Sequence, residues 1–373
     1  MPNNPPRLLS LDVFRGIIVA MMIIVNSPGK YPTYSWLAHS SWNGCTLADL
    51  IFPWFIFIAG VSCVFQLSSL KEQLPFNVLV IKIIKRSIII FAIGLLLNAF
   101  PYHFDLNSLR FYGVLQRIAI CYFFAAILFL TTKVYTQFFI FILLLVSYWL
   151  INLVLPGYTG DSLTPEFNIP ALIDRALFSE AHLYGKYYDP EGLLSTISSL
   201  ATVLLGNLAG YWLVGAYQKN LKLLGLITAG FLGILLGWLW SFWFPINKSL
   251  WTSSYVLWTG GLGLFAFAIC YWFLEIKQWQ KWIYPFKVFG LNALFAYTLH
   301  IFLLKIQIVI SIPHNGKTSN LKTFLTENLF SYSSAENASL SYAIIYTIVC
   351  LILTIITQKL SFFKLKSQRY LKN

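Results

Sequence analysis

Apolar residues along this chain gather into blocks of about 20, the length that crosses the hydrocarbon core of a bilayer. The blocks fall at roughly 11–26, 46–69, 78–98, 113–132, 136–155, 193–214, 223–243, 253–274, 286–306 and 340–360. The pattern predicts an all-α polytopic membrane protein with about ten transmembrane helices, organised as one transmembrane domain over residues 1–373. The run from Ile17 to Val25 follows Arg7 as a signal peptide would. No small-x-small cleavage site follows it, so it reads as a retained first helix. Two long polar gaps interrupt the blocks. The gap 156–192 carries Pro156, Pro165, Pro170 and Pro190 and predicts loop with a short helix near 170–178, and the gap 307–339 is rich in Ser, Asn and Thr. No internal repeat is evident, which weighs against a repeat-built transporter.

Composition sharpens this reading. Of 373 residues, 58% are hydrophobic and 10% charged, where a soluble domain carries about 25% charged residues. A net charge of +13 would suit a nucleic-acid binder, but the basic residues sit in the short gaps, as orientation signals do. Counted in alternate gaps, 17 Lys and Arg fall on one side and 8 on the other, with Arg117 set apart as intramembrane. The basic side holds the N-terminus, Lys133, Lys219, Lys222 and the tail with Lys359, Lys364, Lys366, Arg369 and Lys372. Both termini are therefore expected in the cytoplasm. The gap 156–192, with Asp161, Glu166, Asp174, Glu180, Asp189 and Glu191, is expected to face outward. The five cysteines lie in or beside apolar blocks without a C-x-x-C pair, and no metal-ligand spacing, P-loop or serine elbow occurs.

Ionisable residues at membrane depth mark function or a buried pair. Asp12 and Arg15 stand at i, i+3 and are able to neutralise each other; Asp49 and Arg117 would serve as an ion pair between helices. His300 reads as a helix–helix hydrogen bond. Lys82, Lys85 and Arg86 share one helical face, suited either to an anionic ligand or to lipid headgroups. His39 stands out because it opens the polar-aromatic run His39-Ser40-Ser41-Trp42-Asn43-Gly44 ahead of Asp49. A neutral imidazole there suits general-base work, with Asp49 to orient the ring and Asn26 to donate to a developing oxyanion.

Seven ordered blocks then resemble one family. They are Ser10-Leu11-Asp12-Val13-Phe14-Arg15-Gly16, Val25-Asn26, the His39–Gly44 run, Ala48-Asp49-Leu50-Ile51-Phe52-Pro53-Trp54-Phe55, Gly113-Val114-Leu115-Gln116-Arg117, Tyr188-Asp189-Pro190-Glu191-Gly192-Leu193-Leu194, and the stretch from Pro245 to Tyr255. In this order, from about residue 7 to 300, they are similar to the heparan-α-glucosaminide N-acetyltransferases. The resemblance implies a transmembrane acetyltransferase that takes acetyl from cytosolic acetyl-CoA and places it on an amino sugar across the membrane. It puts the family's active-site histidine at His39, its asparagine at Asn26 and the Asp of its A-D-L-x-F-P motif at Asp49. The animal members' lumenal domain and following extra helix are expected to have no counterpart here. The Asn26-to-His39 interval also differs, with Pro28 and Pro32 within it. The chain looks like a short bacterial-type member, which points to the bacterial inner membrane and to periplasmic glucosamine or a related glycan.

The expected site is then as follows. His39, Asn26 and Asp49 are catalytic. Arg15, Lys82, Lys85 and Arg86 hold the phosphates of acetyl-CoA. Trp42, Asn43, Arg117, Asp189, Glu191, Asn247 and Lys248 contact the sugar. Acetyl-His39 and direct transfer stay equally open, and association into a homo-oligomer is compatible with either. The rival readings are a transporter of amino sugars or other small solutes, which would show flux without CoA, and a non-catalytic sugar sensor.

Overall fold

A computed structural model describes residues 7–101, 105–154, 163–185, 187–314, 317–330 and 333–370, without the side chains of Val154, His314, Lys317 and 361–370. Pro156, Asp161 and Lys372, and the side chains of Lys364, Lys366 and Arg369, lie outside the described residues. In chain order the helices are α1 (Leu9–Asn26), α2 (Leu47–Lys71), α3 (Phe76–Ala99), α4 (Val114–Thr131), α5 (Val134–Val154), α6 (Ile169–Phe178), α7 (Leu193–Val214), α8 (Lys219–Trp240), α9 (Ser253–Tyr271), α10 (Tyr284–Leu291), α11 (Ala293–Val309), α12 (Leu321–Phe330) and α13 (Ala335–Tyr370). A wider turn, Trp272–Ile276, extends α9, and one hairpin joins β1 (Ser311–His314) to β2 (Lys317–Asn320).

The protein is an all-α polytopic membrane protein. Among the described residues eight helices are long and apolar enough to cross a membrane, or nine if α10 and α11 count as one span. The remaining expected span is α3, which carries Lys82, Lys85 and Arg86. The short helix expected near 170–178 is α6. The chain divides into two compact units: residues 1–11 with 39–278, and residues 12–38 with 279–373.

In the first unit, small residues let backbones touch, which is how helices gain packing energy where no water drives them together. A Cβ on Gly60 of α2 would sit 2.1 Å from the carbonyl oxygen of Val203 in α7, and one on Gly206 would sit 2.0 Å from that of Phe57. Around one end of this crossing Cys63, Val64 and Leu67 pack with Leu79 and Ile83 of α3 and with Tyr122, Ala126 and Phe129 of α4. Elsewhere the polarity is inverted relative to a soluble protein. Phe139 and Leu143 of α5 and Phe231 and Leu236 of α8 are large, apolar and exposed, as a lipid-facing surface requires.

In the second unit α1 crosses α10 just as closely. A Cβ on Gly16 would lie 1.7 Å from the oxygen of Phe286, and one on Gly290 would lie 1.8 Å from that of Asp12. The single span expected at 286–306 is instead bent by 89° between α10 and α11. Asn292 sits at the break, off helical geometry, and its side-chain amide donates to the Val288 carbonyl at 2.9 Å. His300 does join two helices, but through its backbone: the Tyr346 hydroxyl of α13 donates to its carbonyl at 2.6 Å. The polar gap 307–339 holds the hairpin and α12. His314 pairs with Lys317 across Asn315 and Gly316, which lie outside the described residues; an Asn-Gly pair between short runs is itself a hairpin signal.

Replacing Gly60 with Leu is expected to lower the thermal unfolding midpoint in detergent, because overpacking a close contact is destabilising by about 1–3 kcal/mol or more. Thr228→Leu, at an exposed position of α8, serves as the control. Equal midpoints for the two variants would contradict the close α2–α7 crossing.

Candidate active site

The site grows from the first turn of α2. Thr46 is its N-cap and Asp49 its third residue, so the Asp49 carboxylate reaches back to the Thr46 backbone N–H at 3.1 Å, the carboxylate half of a capping box. The same Oδ2 accepts from the hydroxyls of Thr46 (3.1 Å) and Ser40 (2.9 Å) and from the Ser40 N–H (3.0 Å). The other oxygen, Oδ1, faces His39 Nδ1 at 2.8 Å and the Lys248 ammonium at 3.3 Å. Asp49 has no solvent exposure, whereas the His39 side chain is 48% exposed. A buried ion needs this many donors.

Nδ1 of His39 also lies 3.1 Å from Lys248 Nζ. It cannot donate to Asp49 and accept from Lys248 at once. The shorter contact to a buried carboxylate assigns the proton to Nδ1, which leaves the lone pair on Nε2. Pro53 completes the arrangement. It has no N–H to give the Asp49 carbonyl four residues before it, and the Tyr255 hydroxyl of α9 fills that position at 2.6 Å.

A second loop, 245–252, closes against the first. The Gly44 N–H donates to the Ile246 carbonyl at 2.8 Å, and the Asn247 amide donates to Asn43 Oδ1 at 3.1 Å. Gly44 adopts φ +112°, a conformation that favours glycine. Asn247 is fixed in turn by the Leu250 N–H and Thr252. Trp42 points elsewhere, donating to the Leu163 carbonyl at 2.9 Å and meeting the Tyr188 ring edge-on at 5.0 Å.

Asp189 and Glu191 are both held by Arg110, which donates to Asp189 through Nε at 2.7 Å and through Nη2 to both carboxylates. Arg110 is not among the residues that the sequence marks, since a lone arginine in an outward loop resembles any other orientation charge. Arg117 is buried and forms no ion pair with Asp49. It donates to Thr196 Oγ1, the Gly192 carbonyl and Ser195 Oγ at the start of α7, and stacks over Trp251 at 4.9 Å. Its partners lie on α7, while Asp49 is satisfied by His39 and Lys248. Asp174 of α6 accepts from the Leu193 N–H at 3.0 Å. Burial, aided by nearby Asp189, pushes its carboxyl up to about 6.

The remaining site residues are spread more widely. Lys82, Lys85 and Arg86 are all exposed on α3, and Arg86 also donates to Gln66 at 2.6 Å and lies over the Tyr122 ring. In the second unit Arg15 pairs with Asp12 at 3.5 Å and donates to the Gly290 carbonyl, and Asn26 ends α1 exposed. At the far end of α2 from Asp49, a cavity of about 500 Å³ is lined by Lys71, Glu72, Lys133, Ser68 and Tyr211, among others.

A polytopic helical membrane protein with a histidine, a buried carboxylate and a lysine at one helix mouth defines the class. Residues 7–237 match the family described as heparan-alpha-glucosaminide N-acetyltransferase, catalytic, and the chain belongs to that family. It is 31% identical over 361 aligned positions to the human heparan-alpha-glucosaminide N-acetyltransferase, covering 79% of this chain and 53% of the human protein. The mouse protein of the same name is 30% identical, with 80% and 54% covered. The chain thus spans about half the length of the curated relatives it matches.

The Asp174 carboxyl gives a pH test. Its value in the folded protein lies above the ordinary one, so its contribution is fully present below about pH 4 and is lost as pH rises through about 6. Asp174→Asn is therefore expected to match wild type in thermal stability near pH 4. It should exceed wild type above pH 6, by about 2–3 kcal/mol at most. A constant difference between the two proteins across that range would contradict the assignment.

Proposed function

We propose that residues 1–373 act as one transmembrane acetyltransferase domain that moves acetyl from cytoplasmic acetyl-CoA to the amine of a glucosamine-type sugar on the opposite side. The observation that carries the reading is the Asp49–His39 contact, a buried carboxylate holding Nδ1 of a half-exposed imidazole, at the position to which the resemblance assigns the family's histidine. In the proposed step the sugar amine attacks the thioester carbonyl and His39 Nε2 takes the proton. The tetrahedral oxyanion collapses, expelling CoA as thiolate, and the proton passes to that sulfur. Asp49 stabilises the imidazolium formed on the way. Asn26 is assigned to the oxyanion on the family resemblance.

Sugar contacts are proposed for Lys248, Asn43 and Asn247, whose loops flank His39, and for Trp42. Asp189, Glu191 and Arg117 act in this proposal by shaping the wall, since Arg110 and the start of α7 already engage them. For CoA, Lys82, Lys85 and Arg86 are exposed on α3, Arg86 beside Gln66, and Arg15 stands beside its protein partners. The cavity at the far end of α2 adds two further lysines, Lys71 and Lys133, beside Glu72. Arg and Lys are the side chains that phosphates require. The proposed setting is the bacterial inner membrane, with both termini cytoplasmic.

In sealed proteoliposomes of known orientation, labelled acetyl-CoA at the face of Lys71 and Lys133 is expected to acetylate glucosamine at the face of His39. CoA should be released on the side where it entered, and His39→Ala should lower the rate by about 10²–10⁴. Product formed only when both substrates share a compartment would overturn the transmembrane route. Near-normal turnover by His39→Ala would overturn the assignment of the base.

A further inference from the structure

The loop 245–252 is closed by two backbone hydrogen bonds, one inside the other. The Thr252 N–H donates to the Asn247 carbonyl at 3.2 Å, and the Trp251 N–H donates to the Lys248 carbonyl at 3.1 Å. A six-to-one bond around a five-to-two bond is the pattern that ends many helices, and its fifth residue takes the left-handed conformation. Glycine favours that place, because a Cβ there crowds the following carbonyl. This chain puts a tryptophan in it, Trp251 at φ +54°. A bulky side chain in that conformation persists only where its surroundings hold it there.

The surroundings that hold Trp251 come from three helices. Its ring meets Phe52 of α2 edge-on at 5.2 Å and lies beneath the Arg117 guanidinium of α4 at 4.9 Å. Its Nε1–H donates to Thr202 Oγ1 of α7 at 3.0 Å, and its carbonyl accepts from Ser198 Oγ of the same helix at 2.6 Å. The side chain is fully buried, so no substrate touches it. What these contacts fix is the turn itself. The second residue of that turn is Lys248, whose ammonium stands 3.3 Å from Asp49 Oδ1 and 3.1 Å from His39 Nδ1. A lysine ends a flexible four-carbon stem, so its ammonium stays on a buried carboxylate only if its backbone is held in place.

We propose that Trp251 is a positioning residue: gripped by α2, α4 and α7 in a left-handed turn, it fixes Lys248 against Asp49 and His39. Its effect on turnover rests on the acetyltransferase reading above; its effect on the Lys248 contact does not. Loosening the ring lets residue 251 relax out of the left-handed conformation, and the turn then carries Lys248 away from the pair.

The test is a double-mutant cycle between Trp251→Phe and Lys248→Met, with glucosamine and acetyl-CoA as substrates. Trp251→Phe removes the Nε1–H and shortens the ring. It is expected to lower kcat/KM for glucosamine by about 10–100-fold, the scale of a small misplacement, while KM for acetyl-CoA stays unchanged. Lys248→Met alone should cost a similar factor, and in the Trp251→Phe background it should add less than about twofold. A Trp251 that only fills the core would give losses that multiply, and the proposal would fall. If Trp251→Phe does not fold, the cycle is run with Ser198→Ala and Thr202→Val combined, which remove the two α7 anchors and leave the ring. Wild-type kcat/KM in that combined variant would also overturn the proposal. The ¹⁵N signal of His39 Nδ1 reads the contact without turnover. Lys248→Met should shift it, Trp251→Phe should shift it in the same direction, and the two together should shift it no further. These shifts in a protein that acetylates nothing would keep the positioning role and remove the acetyltransferase reading. A signal that either substitution leaves in place overturns the positioning role.

Discussion

The carboxylate of Asp49 sits out of reach of solvent, and a bare charge there would be strongly destabilising. What stabilises it is the local chain itself. Two residues on either side of a tight loop, Ser40 and Thr46, give it four N–H and O–H donors, and His39 and Lys248 occupy its other oxygen. The start of α2, the His39 loop and the 245–252 loop are therefore fixed by one group. The loss of any donor exposes the others to the same desolvation penalty. Pro53 extends the constraint into the bundle, since the carbonyl it leaves without a helical partner is where Tyr255 of α9 attaches.

Beneath this mouth the helices are held by contact of backbone on backbone. Bilayer lipid is as apolar as leucine, so close approach at glycine gains what hydrophobic burial would gain in water. Gly60 with Gly206 in the first unit and Gly16 with Gly290 in the second are the places where this happens. The glycine that follows Arg15 in the first family block is thus explained by a helix crossing rather than by chemistry. Arg15 beside it is occupied by Asp12 and the Gly290 carbonyl.

Much of this was legible in the amino-acid order. Block length alone locates the long helices, because a bilayer sets that length, and a proline-rich gap still showed α6 through its apolar run. The 89° bend at Asn292 was not legible: both halves are apolar, and hydropathy carries no information on a crossing at Gly290. Asp49 stood out because ionisable groups are rare at membrane depth, and His39 because it opens a polar-aromatic run ahead of it. Their distance is a matter of loop geometry, which the Thr46–Asp49 capping box sets in the structure. Lys248 was visible as a residue but not as a partner of Asp49, being about 200 positions away. A separation of 79 positions likewise hid Arg110 from Asp189, and it hid from Arg117 the α7 partners that replace its expected ion pair with Asp49.

The central claim is that Asp49 fixes the tautomer of His39, so that Nε2 carries the lone pair. ¹⁵N spectroscopy of the protein labelled at its histidines, with the His39 signal assigned by its loss in His39→Gln, reads this directly. For the uncharged imidazole the account predicts the proton on Nδ1 in wild type, and a mixture of tautomers in Asp49→Ala. A wild-type signal with the proton on Nε2, or one unchanged by Asp49→Ala, would contradict it.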